Sequence, residues 1–426
     1  DLVTNDTTSG ETLAFSGSGT VSSANVQNNQ SITLGSIAIA DGSGGGLASN
    51  YNLTTGTFDI SQKWVGVSGQ KIYDATTTVS SSDLNVTGEV TGESISITGT
   101  GSVTDKNVGS GKTIDISGLS LSDGSHSASN YTIGTTSFAI TRRNLSISGE
   151  KVYDGTGTVL ASQIDTVNTA GGETLTISGE GSVSLPSVGT NKSITLNTLG
   201  ISDGTNGTIG LASNYTLDSG SFDITTKPIT LSGSRQYDGT TDVASSDLTL
   251  IGQVSGESIS ITGTGSVTDK NVGAGKTINT TGLSLADNTS NASNYSLSTG
   301  TFTINNKILS ISGTRAYDGS TTVSSGNISL NGLIGSETLN KSGSVSISSS
   351  NASIYGSALI NASALSLSDG SNGGLISNYT LSGGSHSITI SKKSIGVNGS
   401  KVYDGNTSAA ASNLSLTGLI GSETLN

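Results

Sequence analysis

The chain has 426 residues with no Cys, no Met, two Pro, 60 Gly and only 12% charged residues, which excludes a disulfide framework and thiol chemistry and departs from ordinary cytosolic enzymes. Its formal net charge of −13 argues against a nucleic-acid partner, because phosphate binding needs clustered Lys and Arg. Apolar residues make up 31%, which suits several small domains with narrow cores rather than one large core.

Asp1 opens no signal peptide with basic and apolar regions, and no apolar stretch reaches the roughly 20 residues that cross a bilayer, so the segment is expected to be an excerpt or a mature product without membrane insertion. Alternations such as Ser94-Ile95-Ser96-Ile97-Thr98 and Ile308-Leu309-Ser310-Ile311-Ser312 predict half-buried strands rather than disorder. For residues 228–307 the pattern predicts strands at Ile229–Ser232, Asp247–Leu250, Ser258–Thr262, Thr277–Thr280, Leu283–Leu285, Tyr295–Leu297 and Thr301–Ile304, bounded by Gly, Asn and Asp turns. No segment carries a helical period of useful length.

Three landmarks recur in phase. A Tyr-Asp pair stands at Tyr73-Asp74, Tyr153-Asp154, Tyr237-Asp238, Tyr317-Asp318 and Tyr403-Asp404, at intervals of 80, 84, 80 and 86 residues. Ser-Asn-Tyr ends at Tyr51, Tyr131, Tyr215, Tyr295 and Tyr379, and a Glu before Ser or Thr and an aliphatic residue falls at Glu11, Glu93, Glu173, Glu257, Glu337 and Glu423. A period this long is one domain, not one solenoid coil. The predicted organisation is a partial unit over 1–63, whole units over 64–143, 144–227, 228–307 and 308–393, and a partial unit over 394–426. Each junction bears a basic residue, Lys63, Arg143, Lys227, Lys307 or Lys393, without a flexible spacer. The aromatic before it, Phe58, Phe138, Phe222 and Phe302, with His386 in the last unit, reads as one core position. The fold class is all-β: about five small β-sandwich-like domains in tandem, forming an elongated rod on the order of 20 nm.

The Tyr-Asp pair offers an acid and a base, yet the following Gly or Ala and Thr read as an Asx turn with the Tyr ring packed beneath it. The preceding Lys71, Lys151, Arg235, Arg315 or Lys401 lies on the same strand face as the Tyr, placed to stack on the ring or pair with a carboxylate. His126 and His386 occupy different phases, so no catalytic triad or transition-metal cluster is expected, and the chain reads as no enzyme. The candidate calcium ligands are Asp41, Asp123, Asp203, Asp287 and Asp369, one per loop before Ser-Asn-Tyr. With no dense Asp run, an Asx turn is the simpler account and no cofactor is expected.

The segments Lys151–Gly155, Lys401–Gly405 and Arg235–Gly239 resemble the signature of the YDG-type repeat domain found in tandem in large bacterial surface proteins, including filamentous-haemagglutinin-like adhesins. One signature per unit spans the whole chain, with Ala75 replacing the Gly in the first. The resemblance implies export by a Gram-negative-type bacterium, an extracellular or matrix location, and a stalk role in adhesion or biofilm without activity or ligand. Other copies or matrix components are the expected partners. A carbohydrate- or surface-binding adhesive array is the alternative, and an ice- or mineral-binding surface fits less well because the Ser/Thr alternations are irregular. A further alternative is a filament built by head-to-tail strand donation, since residues 394–426 carry the Tyr-Asp strand that the first partial unit lacks.

Overall fold

The computed structural model describes residues 10–425; Asp1 lies outside them. The protein is all-β, with short 3₁₀ turns and, among the described residues, no helix of seven residues or more.

The first whole repeat shows the plan. Its strands are β1 (Lys63–Ile72), β2 (Thr78–Ser80), β3 (Leu84–Thr87), β4 (Ile95–Val103), β5 (Gly109–Lys112), β6 (Ile114–Asp115), β7 (Leu119–Asp123) and β8 (Tyr131–Thr141). One sheet has the order β5-β8-β1-β3; the other is centred on β4, which pairs with β7 along one half and with β2 and β6 along the other. The first and last strands, β1 and β8, run parallel, from Lys63 opposite Tyr131 to Ile72 opposite Thr141. Parallel neighbours need a long crossover, and the six intervening strands supply it, four of them (β2, β4, β6 and β7) as the second sheet.

Period-2 alternation fills the space between the sheets. Val67 from β1, Ile97 and Val103 from β4, and Phe138 and Ile140 from β8 are buried together with Leu84, Ile114 and Leu119. Phe138 lies opposite Gly69. A Cβ at Gly69 would sit 1.9 Å from the Asp83 carbonyl oxygen, so the β3 side of the sheet approaches too closely for any other residue. The equivalent Gly233 and Gly313 lie opposite Phe302 and Ile388. Ile388, not His386, therefore holds the aromatic position in that repeat, and the His386 Nδ1 accepts the Ile311 N–H at 3.2 Å.

The third repeat repeats the plan, with Lys227–Gln236 parallel to Thr301–Asn305 and Ile259–Ser266 central to the second sheet. The strand expected at Thr277–Thr280 lies earlier, at Gly273–Thr277. Its sequence Gly-Ala-Gly-Lys-Thr has no apolar alternation, and a register shift bends it. A further strand, Asp242–Ala244, buries only Val243 and gives too short a pattern to detect.

By compactness the chain divides into two units, Asp1–Lys151 with Gly157–Asp223, and Val152–Thr156 with Ile224–Asn426. The second repeat's Tyr-Asp turn thus belongs to the second unit.

Candidate functional site: a carboxylate shared between repeats

Each Tyr-Asp pair ends a leading strand in a pinned turn. The Asp74 Oδ1 accepts the Thr76 N–H at 2.9 Å, and Asp154, Asp238 and Asp318 accept the N–H two residues on at the same distance. Asp404 does so at 3.1 Å. The intervening residue has positive φ, 75° to 82° for Gly155, Gly239, Gly319 and Gly405 and 67° for Ala75. The basic residue before the Tyr closes this loop instead of stacking on the tyrosine. Lys71 donates to Asp74 at 3.1 Å and to the Thr78 carbonyl at 2.6 Å, and Lys401 repeats the pattern on Asp404 and Ser408. Arg235 and Arg315 pair with Asp238 and Asp318, and Lys151 donates to the Thr158 carbonyl. Arg235 also lies 6.0 Å over the Phe302 ring. Burial raises the carboxyl of Asp74, but Lys71 and Thr76 outweigh it and hold it below its ordinary value.

The Ser-Asn-Tyr segments end single 3₁₀ turns. The carboxylates of Asp41, Asp123, Asp203, Asp287 and Asp369 accept the first N–H of these turns, from Ala48, Ala128, Ala212, Ala292 and Ile376, at 2.7–2.8 Å. Each Asp thus has a structural task as a turn former. Among the described residues no group of three or more His, Cys, Asp and Glu is placed to hold a metal ion.

The turns deliver all three landmarks to one place. In the first unit the Tyr73 hydroxyl donates to Glu173 Oε1 at 2.8 Å and the Tyr215 hydroxyl donates to Glu173 Oε2 at 2.6 Å. The two rings meet edge to face with centroids 5.3 Å apart. Tyr73 comes from one repeat, and Glu173 and Tyr215 from the next. The Tyr215 hydroxyl also accepts the Ala170 N–H at 3.1 Å, so it is satisfied in both roles. Lys106, from the same repeat as Tyr73, donates to Glu173 at 2.6 Å and lies 6.0 Å over the Tyr73 ring.

The second unit holds the same arrangement twice. Tyr237 and Tyr379 donate to the two oxygens of Glu337 at 2.5 and 2.6 Å, with Lys270 at 3.1 Å. Tyr153 and Tyr295 donate to Glu257 at 2.6 and 2.5 Å. Where Lys106 and Lys270 stand, the second repeat has Pro186 and the fourth has Ser350. At the last copy Tyr317 donates to Glu423. Glu11 and Glu93 receive the hydroxyls of Tyr51 and Tyr131. Tyr403 is exposed.

The electrostatics favour a fixed protonation state. Burial pushes Glu173 up, yet the hydrogen bonds from Lys106, Tyr215 and Tyr73 together bring it below the ordinary carboxylate value. Glu337 behaves likewise through Tyr237, Tyr379 and Lys270. Burial, followed by the nearby Glu, raises Tyr73, Tyr215, Tyr237 and Tyr379. Tyr153 rises to about 12 for the same two reasons. At neutral pH Glu173 and Glu337 are charged, and the phenols that donate to them keep their protons.

A second clasp was not visible as a motif in the sequence. The Asn of Ser-Asn-Tyr turns back onto the preceding repeat. Asn214 accepts the Val108 N–H at 2.9 Å and donates to Asn107 at 2.9 Å. Asn378 does the same with Val272 and Asn271, and Asn130 with Val26 and Asn25. The available signal was the recurrent Asn before an aliphatic residue at Asn25, Asn107 and Asn271.

These features define a class of protein: a tandem all-β array whose repeats are joined through paired tyrosines on a common carboxylate. The YDG domain profile matches residues 63–138, 141–222 and 224–303, more than half of the chain, and the chain belongs to the YDG domain family. No curated protein matches. Among solved structures, Drosophila N-cadherin EC1-4 aligns over 75% of this chain and 90% of its own at 8% identity, with a TM-score of 0.11, which carries no argument.

Proposed function

We propose that the protein is a structural stalk or fibre segment of a bacterial extracellular adhesin or biofilm-matrix protein, in which stiff tandem β domains project or link other components. The observation that carries this reading is the joint itself. The recurring Tyr, Glu and Asn side chains are spent on tying one repeat to the next, as at Tyr73–Glu173–Tyr215. A charged carboxylate with two phenols on it costs desolvation unless fully paired, and full pairing demands one geometry. Such joints suit transmission of force better than chemistry.

The same groups support a non-enzymatic role. At Glu173 and Glu337 the carboxyls are depressed and their phenols raised, which moves both away from the neutral range that suits proton transfer. No cofactor is required on this reading, and other copies or matrix components are the partners. Small-angle scattering of the 426-residue chain tests it: scattering of a stiff rod, unchanged by a calcium chelator, is expected. A flexible coil of beads sinks the reading.

A carbohydrate-binding array is the second reading. It is favoured by Trp64, 74% exposed, whose side chain lies beside Gly134 and offers an accessible aromatic ring of the kind that stacks on a sugar. Retention on a glycan array that is lost in Trp64→Ala is its test.

A further inference from the structure

The chain carries few of the side chains that oxidants ordinarily consume. It has no Cys, no Met and one Trp, but 11 Tyr, and thiol and thioether sulfurs are the usual first targets of oxidation. Among the described residues, six tyrosines stand in edge-to-face pairs: Tyr73 with Tyr215, Tyr153 with Tyr295 and Tyr237 with Tyr379, with ring centroids 5.3, 5.6 and 5.5 Å apart. All six are buried, none more than 5% exposed. In each pair one ring belongs to one repeat and its partner to the next.

Both phenols of a pair donate to the two oxygens of one carboxylate, Glu173, Glu257 or Glu337. The shared carboxylate gathers the hydroxyl-bearing edges of the two rings, and the carbon beside each hydroxyl is where a phenoxyl radical carries its unpaired spin. A phenol that loses an electron becomes a strong acid, and the Glu oxygen it already touches is the base for that proton. Burial keeps other reactants away from the rings, so the group that each radical meets, already in place, is its partner ring.

We propose that these tyrosine pairs are sites of oxidative crosslinking, at which a carbon–carbon bond between the two rings ties one repeat covalently to the next. The oxidant is a peroxide acting in one-electron steps. Each phenol gives one electron to the oxidant and one proton to the shared Glu, which releases each proton to water in turn. The two radicals couple at the carbons ortho to their hydroxyls, and the hydrogens on those carbons then restore the ring oxygens to phenols. The net loss is two electrons and two protons per pair. Hydrogen peroxide takes up both as its O–O bond breaks, and it leaves as two waters. The inference goes beyond the stalk reading and stands on the geometry of the joints alone.

Photo-oxidation of the 426-residue chain with persulfate, itself a peroxide, and ruthenium tris-bipyridine tests it. Size exclusion keeps only the monomer of 42.3 kDa, which sets aside links between chains through the exposed Tyr403. That monomer is expected to show dityrosine fluorescence. Peptide mass spectrometry should find Tyr73 joined to Tyr215, Tyr153 to Tyr295 and Tyr237 to Tyr379, each link lighter by two hydrogen atoms and at least tenfold more abundant than any other tyrosine pair. Tyr237→Phe keeps the ring and should remove the Tyr237–Tyr379 link while leaving the other two. Oxidation in urea should erase the preference for these pairs. A folded monomer without dityrosine, whatever the fate of Trp64, overturns the inference, as do links that join tyrosines as indiscriminately as in urea. A flexible chain in scattering whose pairs still crosslink would sink the stalk and leave this inference standing.

Discussion

At the scale of single residues, Glu173 and Glu337 carry the most consequence, because each is buried and receives three donors. Replacing either by Gln keeps the shape but removes the charge that holds Lys106 or Lys270. Glu173→Gln and Glu337→Gln are expected to cost about 1–3 kcal/mol each, read as a lowered urea midpoint. The same carboxyls set the acid limit. Their folded pKa lies below the ordinary value of 4.5, so their contribution is present above that value and is lost as pH falls through the folded value. On the alkaline side the sign reverses. Tyr153, raised from 10.0 to about 12, stabilises below pH 10 and loses that contribution as pH climbs towards 12. Unfolding midpoints across pH should therefore fall at both extremes, and tyrosinate absorbance should develop late in the folded protein. A midpoint that is flat from pH 7 down to 3 contradicts the acid half.

At the scale of elements, the turns decide how the strands present their side chains. Ala75 occupies a left-handed position, φ 67°, that Gly fills in the four other copies. Ala75→Gly is expected to stabilise by about 1 kcal/mol, checked by thermal unfolding, with a change of the opposite sign showing that the site tolerates its Cβ. The Asp123 class tests a different element. If its work is to accept the Ala128 N–H at 2.7 Å, Asp123→Ala should cost about 1 kcal/mol with and without a chelator, and chelation alone should leave the wild-type Tm in place. A chelator-dependent Tm would assign these loops to calcium. Most strands were legible because Ser/Thr alternates with Ile, Leu or Val. The exceptions were Gly273–Thr277, held by neighbours rather than by its own pattern, and Asp242–Ala244, with a single apolar residue.

At the scale of the whole molecule, arrays of this kind gain stability from each repeat and from each neighbouring interface. Weakening one joint should therefore change cooperativity as well as stability. Glu337→Gln is expected to broaden or split the calorimetric transition of the chain, because the fourth repeat loses its tie to the third. A shift of the whole transition with unchanged width would place Glu337 within one repeat's stability instead. The joints also differ in chemistry: Glu173 and Glu337 hold a lysine, whereas Pro186 and Ser350 stand at the equivalent lysine positions for Glu257 and Glu423.

The sequence by itself determined the all-β class, the tandem period and the Asx turn of each Tyr-Asp pair, because alternation, spacing and turn chemistry are local properties of the chain. It also marked the three landmarks, but as separate series. Only the tertiary structure decided that they meet, since Tyr73 and Glu173 are 100 residues apart and belong to different repeats. No local pattern encodes which side chain of one domain reaches the next. That reach is set by the parallel first and last strands, which carry the Tyr-Asp turn and the Ser-Asn-Tyr turn to opposite ends of the repeat.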